Sequence, residues 1–492
     1  MVIAACGGAA AAAADHAIIP LPMPPSAVPA PPRLRALIDT LGQGLLEREA
    51  AVRLVLLAAL AGEHVLLIGP PGTAKSELAR RLHRCFAGAP YFERLLTRFS
   101  TPEELFGPLS LKALEEDRYE RLTAGFLPQA GIAFLDEVFK ANSAILNSLL
   151  TLLNEREFDN GSGRVRTPLV SVVGASNELP ADESLLAFFD RFLVRVPVSP
   201  VGDEAFESLL RLAEAPPPAT AVPLSEAERD AVATAAAGVR LGDEALAALA
   251  ALRQWLAAPS GGVSDRRWRQ WVALMRVAAA CEGRPELDAL DLWLAPYIAA
   301  ASPDEVPRLA QWFEVECARA VPQQAPWLTR AVEAFERQLQ IEESAPPDVE
   351  GGADASAGKL ALARSIGGAA GLEGDLSRIV PRRLEDRQRR RYSPVHLAAR
   401  LAQLDEVAAH AEVQRAEVAA AAATLSRRLA GRLWLPPALA ERLGAAHART
   451  LAVLDGLLDR LRVTRDGYAA LPVDEQSLAG PPTPVVLEQL PA

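Results

Sequence analysis

Between Leu34 and Val198 the chain alternates short, continuously apolar runs with longer stretches whose apolar positions recur every three to four residues. The runs His64–Ile68, Phe92–Leu96, Ile132–Leu135, Val170–Ala175 and Phe192–Val198 predict buried strands, and the intervening spacing predicts helices. Alternation of this kind implies a parallel sheet with helices on both faces. Two stretches interrupt it and read as hairpins. One lies around Asp117 to Leu122, ahead of Gly125; the other, Glu157 to Thr167, carries the turn signal Asp159-Asn160-Gly161-Ser162-Gly163.

After Pro200 the strand signal stops. Residues 203–301 are rich in Ala and Leu at helical spacing, which predicts a small all-helical domain, and the helical pattern continues from Pro303 to Gln340. Glu343 to Gly352 has the composition of a linker. Leu397, Leu401 and Leu404, and later Leu451, Leu454, Leu458 and Leu461, predict packed helices or a coiled-coil hairpin. The expected boundaries are a disordered Ala/Pro-rich leader over 1–32, an α/β domain over 33–200, a helical domain over 201–302, a C-terminal helical region over 303–471 with its linker near 342–378, and a frayed tail over 472–492.

The chain has 492 residues, half of them apolar, which is ample for several cores. A net charge of −11 argues against a nucleic-acid binder. Cys6, Cys85, Cys281 and Cys317 are too scattered for a disulfide frame or zinc site and read as reduced core thiols of a cytoplasmic protein. The leader lacks the regions of a signal peptide, and the longest apolar stretch is broken by Arg53, Glu63 and His64, so no integral membrane segment is expected.

The candidate chemistry sits at the ends of the predicted strands. Gly69, Pro70, Pro71, Gly72, Thr73, Ala74, Lys75 and Ser76 follow the first strand and read as a phosphate-binding loop. The glycines let backbone N–H groups face an anion, Lys75 reaches the β and γ phosphates of ATP, and Ser76 meets Mg²⁺. Only four lysines occur among 51 basic residues, so a Lys here points to a requirement for a compact ammonium. Ala74 departs from the general pattern, which has its last Gly at that position. Asp136 and Glu137 end the third apolar run; the first suits the Mg²⁺ shell and the second the attacking water, although two acids after a strand also suit a helix cap. Asn177 ends the next run and, if that strand lies next to the Asp136 strand, can bond the γ-phosphate or the water, although an Asn ending a strand also suits a turn. Arg191 precedes the last strand, where a guanidinium could serve a neighbouring subunit, with Arg195 as its rival. Arg266 begins a helix and could fold back over the γ-phosphate, although Ser264 as a helix cap explains the same string.

With these segments in family order over the first 300 residues, the chain resembles the MoxR-family AAA+ ATPases, and most closely their RavA-like subgroup. The resemblance also rests on residues 97–108, 119–128, 134–140, 144–150, 153–156 and 264–268. It implies an AAA+ P-loop αβα sandwich with a parallel sheet, an all-α lid and a C-terminal helical domain. It assigns Lys75 and Ser76 to Walker A, Asp136 and Glu137 to Walker B, Asn177 to sensor 1, Arg191 to the arginine finger and Arg266 to sensor 2. The Gly44 to Glu47 segment, with Leu45, matches the part that contacts adenine, and the two interruptions match the family's helix-2 and pre-sensor-1 insertions. Ala74 is usual in the subgroup. The implied activity is Mg²⁺-dependent ATP hydrolysis in a homo-oligomeric ring, expected to be a hexamer, that remodels partner proteins. A nucleotide-gated scaffold is the alternative.

A partner with a von Willebrand factor A domain is typical of the family. The subgroup's lysine decarboxylase partnership is doubtful here, because residues 342–378 show no strand pattern for the β-rich domain that binds it. The cluster of Arg382, Arg383, Arg387, Arg389, Arg390 and Arg391 reads as a solvated helix face or a contact for lipid, RNA or an acidic partner.

Overall fold

The computed structural model describes residues 27–161, 163–180, 182–214, 221–257, 262–320, 322–345 and 390–487. Residues 1–26 of the leader, the linker expected from residue 346 onward and the basic cluster from Arg382 to Arg389 lie outside them. The chain forms two compact units. One runs to Phe313 and takes in Leu433–Pro436; the other comprises Glu314–Arg432 and the chain from Pro437.

The first unit is built on five parallel strands: β1 (Val65–Ile68), β2 (Tyr91–Leu95), β3 (Ile132–Asp136), β6 (Ser171–Ser176) and β7 (Val194–Pro197). Their spatial order is β2-β3-β6-β1-β7. All four residues of β1 and all six of β6 are buried, which is why they read as unbroken apolar runs: helices cover both faces of the sheet. Leu66, Phe92, Leu135, Leu149, Val172 and Phe188 belong to one packed core. The second interruption is the expected hairpin, β4 (Glu157–Asp159) against β5 (Arg164–Arg166).

The first interruption differs from a simple hairpin. A short helix, Leu111–Glu115, rises between two extended arms joined by a single bridge from Leu109 to Arg121. Ser110 caps that helix by accepting from the Ala113 N–H, so the local cap outcompetes strand pairing.

Beyond Pro200 the described residues of the first unit are mainly helical, with a two-residue parallel pairing of Arg240–Leu241 with Glu286–Leu287 and a single bridge from Leu224 to Phe86. In the second unit, Pro326–Ser344 packs with two long helices, Pro394–Leu429 and Pro437–Ala469. Leu397, Leu404, Leu454 and Leu461 lie in its core as their spacing predicts, and Leu401 and Leu458 pack against it. The stretch from Pro472 to Leu487, expected to fray, is instead held along these helices as an extended strap, because Tyr392, Ser393 and Arg400 donate to its carbonyls. Among the described residues Cys85, Cys281 and Cys317 are buried free thiols, and no helix is long and apolar enough to cross a membrane.

Candidate functional site

The loop after β1 is shaped by residues that tolerate what others cannot. A Cβ at Gly69 would meet the Val198 carbonyl oxygen at 2.0 Å, and Gly72 takes φ +78°. Ala74 sits at φ 65°, the left-handed region in which a Cβ costs roughly 1–2 kcal/mol. That is the physical reason the general motif has Gly there, and this chain carries the strain. Thr73 folds its hydroxyl onto the Pro70 carbonyl at 3.0 Å. Buried Arg48 donates to the Thr73 carbonyl at 3.3 Å and to that of Ser199 at 2.5 Å, tying the loop to the exit of β7. The neighbouring turn, with Gly44 and Glu47 both at positive φ, leaves Leu45 half-buried beside it.

The helix Lys75–His83 starts at this loop, with its free N–H groups and positive dipole end facing the same space. Lys75 is nearly buried. Its ammonium donates to the carbonyls of Gly69 at 2.5 Å and Pro70 at 2.8 Å and to Asn177 Oδ1 at 3.2 Å. Burial lowers its pKa, while Asp136 and Glu137 pull the other way.

The sheet order explains why Asn177 is there. β6 lies between β1 and β3, so the residue after β6 falls between the loop and the two carboxylates. The Asn177 amide donates to Glu137 Oε1 while its oxygen accepts from Lys75. Glu137, at φ 53°, donates its own N–H to Asp136 Oδ1 at 3.0 Å and pairs with Lys140 at 3.2 Å. Burial, the largest influence, raises the Asp136 pKa, and the adjacent Glu137 charge adds to it. Lys75, Asn177, Glu137 and Lys140 thus form one continuous polar chain beside Asp136. A ring of backbone N–H groups, an ammonium and a strand-end carboxylate fit a Mg²⁺-nucleotide.

Arg191 and Arg266 are not in this cluster. Val194 pairs with Val65, so Arg191, ahead of β7, stands at the sheet edge opposite Lys75. Arg266 lies at the same edge, donating to Asn154 Oδ1 at 3.0 Å. Burial lowers the Arg191 pKa, and the nearby Arg266 charge lowers it further. Arg266 therefore does not fold over its own loop; the two cations form a pair on the far side of the sheet. Arg195 has no freedom to act outside the fold. It is buried, lies 3.6 Å from the Phe189 ring centroid, and donates to the carbonyls of Phe189 and Ala300. Desolvation takes its pKa down to about 8.

The residue next to Arg266 carries the structural load at this edge. Arg267 is 3% exposed and donates to the carbonyls of Asp190, Phe192, Leu193 and Ile298 and to the Asp190 carboxylate. Helical phase could have found it: Arg267, Trp271, Leu274 and Ala278 share the buried face, and Arg266 falls off it. Arg267→Ala is expected to cost about 3 kcal/mol or more and to lower the melting temperature by several degrees, because buried acceptors lose their donor.

Nearby Glu63 accepts from Gln270 at 2.9 Å, and burial pushes its pKa up to about 7. An acid raised on folding binds more protons in the folded state, so the contribution of Glu63 to stability should fall as pH rises from about 4.5 to 7 and then level off. Glu63→Gln should therefore gain in melting temperature over wild type at pH 8 and little at pH 4.5. An equal difference at both pH values would remove this assignment.

A five-stranded parallel sheet in this order, with a Gly-bounded loop, strand-end carboxylates and a following helical lid, defines a P-loop nucleotide-binding protein of the AAA+ class. The profile described as "MoxR domain in the MoxR-vWA-beta-propeller ternary systems" matches residues 32–219, and one described as "AAA lid domain" matches residues 244–313. Two uncharacterised proteins of Methanocaldococcus jannaschii are 40% and 41% identical over 277 and 268 residues, 55% and 54% of this chain and 72% and 70% of the relatives. Protein MoxR of Paracoccus denitrificans is 30% identical over 161 residues, 31% of this chain and 46% of that protein. The chain belongs to the MoxR family of AAA+ ATPases.

Proposed function

We propose that this chain hydrolyses ATP at sites completed between subunits of a homo-oligomeric ring and uses the cycle to remodel a partner complex. The observation that carries this is the polar chain from Lys75 through Asn177 to Glu137, laid beside Asp136 at one sheet edge, while Arg191 and Arg266 lie at the opposite edge.

Lys75 and the loop N–H groups would hold the β and γ phosphates, and the Leu45 turn would border the adenine. Ser76 and Asp136 would hold Mg²⁺, which neutralises phosphate charge when bound. Glu137 positions and deprotonates the attacking water, with Asn177 orienting its carboxylate. Arg191 and Arg266 would supply positive charge to the neighbour's phosphates. Arg266 is thus assigned to a neighbour's site and not to its own.

The partner suggested by the matched MoxR profile is a von Willebrand factor A protein acting with a β-propeller. That description supports a ternary assembly more directly than the RavA-like subgroup with its decarboxylase, and residues 346–389, where a β-rich domain would fall, lie outside the described structure. Phosphate release from Mg·ATP, followed as the chain is diluted, tests the reading. Specific activity should fall steeply as assemblies dissociate; constant activity down to the monomer would overturn the shared site.

A further inference from the structure

The second unit carries a polar site that the nucleotide chemistry does not use. Glu342, 6% exposed, accepts from Gln338 at 2.8 Å, His396 at 2.9 Å and Arg400 Nε at 3.0 Å. Arg400 is itself 4% exposed and gives Glu342 its Nη2 as well, at 2.9 Å. Its remaining nitrogen, Nη1, is turned to the strap. It donates to the Thr483 carbonyl at 2.9 Å, with Gln403 Oε1 at 3.4 Å. Ser393, 2% exposed, caps the helix Pro394–Leu429 and donates its hydroxyl to the Ala479 carbonyl at 3.0 Å.

Both contacts are read from main-chain carbonyls, and the spacing is matched. Ser393 and Arg400 are two helical turns apart, about 10 Å. Four residues of extended polyproline-type chain span about 12 Å. Pro481, Pro482 and Pro484 have no N–H to satisfy, so the strap offers acceptors where the helix offers buried donors. Beyond them Val485 and Leu487 pack on the core of the second unit, while Val486 between them is 89% exposed. A cavity of about 180 Å³ opens beside Val486 and Leu487, lined by Trp327, Ala331 and Ala334 together with Arg330 and Arg337.

We propose that Ser393, Arg400 and the apolar floor beside Trp327 form a binding site for an extended, proline-bearing peptide, occupied by the chain's own residues 479–487. The ligand class is a segment with two or three prolines followed by apolar residues at alternate positions. A partner presenting such a segment exchanges with the strap. The strap keeps most of its side chains in solvent and is tethered, so it competes at high effective concentration, and a partner displaces it by filling the cavity better than Leu487 does. The cavity further predicts that a residue larger than Leu at the last apolar position binds more tightly.

The test uses the full chain and a fluorescent peptide with the sequence of residues 479–487. The double variant Val485→Asp, Leu487→Asp, which alters only half-buried positions, should release the strap. The peptide should then bind the variant at least tenfold more tightly than wild type, and a peptide with Phe in place of Leu487 should bind more tightly still. In wild type, excess peptide should displace the strap from its packing and speed cleavage at Val485 to Leu487 by proteinase K, a readout that needs no variant. Equal binding of a scrambled peptide, no binding to the variant at millimolar peptide, or unchanged cleavage would each overturn the proposal.

Discussion

Glu137→Gln is expected to bind ATP within about threefold of wild type and to lose a hundredfold or more in turnover, the usual scale for removing a general base. The substitution keeps an oxygen for the Asn177 amide and gives up the charge, with it the pairing to Lys140, and the ability to take a proton. Lys75→Ala is expected to fail one step earlier. Without the ammonium the loop carbonyls of Gly69 and Pro70 and the Asn177 oxygen lose their donor, and nucleotide binding itself should fall. Fluorescent-nucleotide titration and phosphate release, run on both variants, separate the two effects. If Glu137→Gln turned over ATP at the wild-type rate, Glu137 would not be the base. The same variant separates motor from scaffold: a partner converted by wild type in ATP but only retained by Glu137→Gln is a client of turnover.

The nucleotide edge was legible because its determinants are local. A buried parallel strand is continuously apolar, and the residues that end it are the ones the sheet presents to ligand, so Lys75, Asp136, Glu137 and Asn177 could be read one strand at a time. Their assembly was not local. Asn177 reaches both Lys75 and Glu137 only because β6 inserts between β1 and β3, a pairing that no single segment encodes.

Arg48 and Arg267 were missed for a related reason: each is satisfied by backbone carbonyls far away in sequence, and carbonyls leave no side-chain signature. The strap was misread as frayed because Pro and Gly composition signals the loss of helix and strand. It does not signal the loss of order when donors elsewhere read the carbonyls.

Arg191→Ala is expected to leave nucleotide binding intact and to reduce hydrolysis by roughly a thousandfold, the lower end of what a catalytic arginine supplies to phosphoryl transfer. Its position fixes a sharper consequence. Arg191 and Lys75 occupy opposite edges of one sheet, so under the proposed function Arg191 would serve the loop of another copy. Mixing Arg191→Ala chains with Lys75→Ala chains, each inactive alone, should therefore restore activity. In a randomly mixed one-to-one ring, about one interface in four joins an intact loop to an intact arginine, which bounds the recovery near a quarter of wild type if interfaces act independently. Arg266→Ala should behave in the same way in the same mixture, whereas Arg195→Ala, which empties a buried cation site on Phe189, should lower the melting temperature instead. No recovery in either mixture, with assembly verified by mass, would mean that these arginines do not act across the interface.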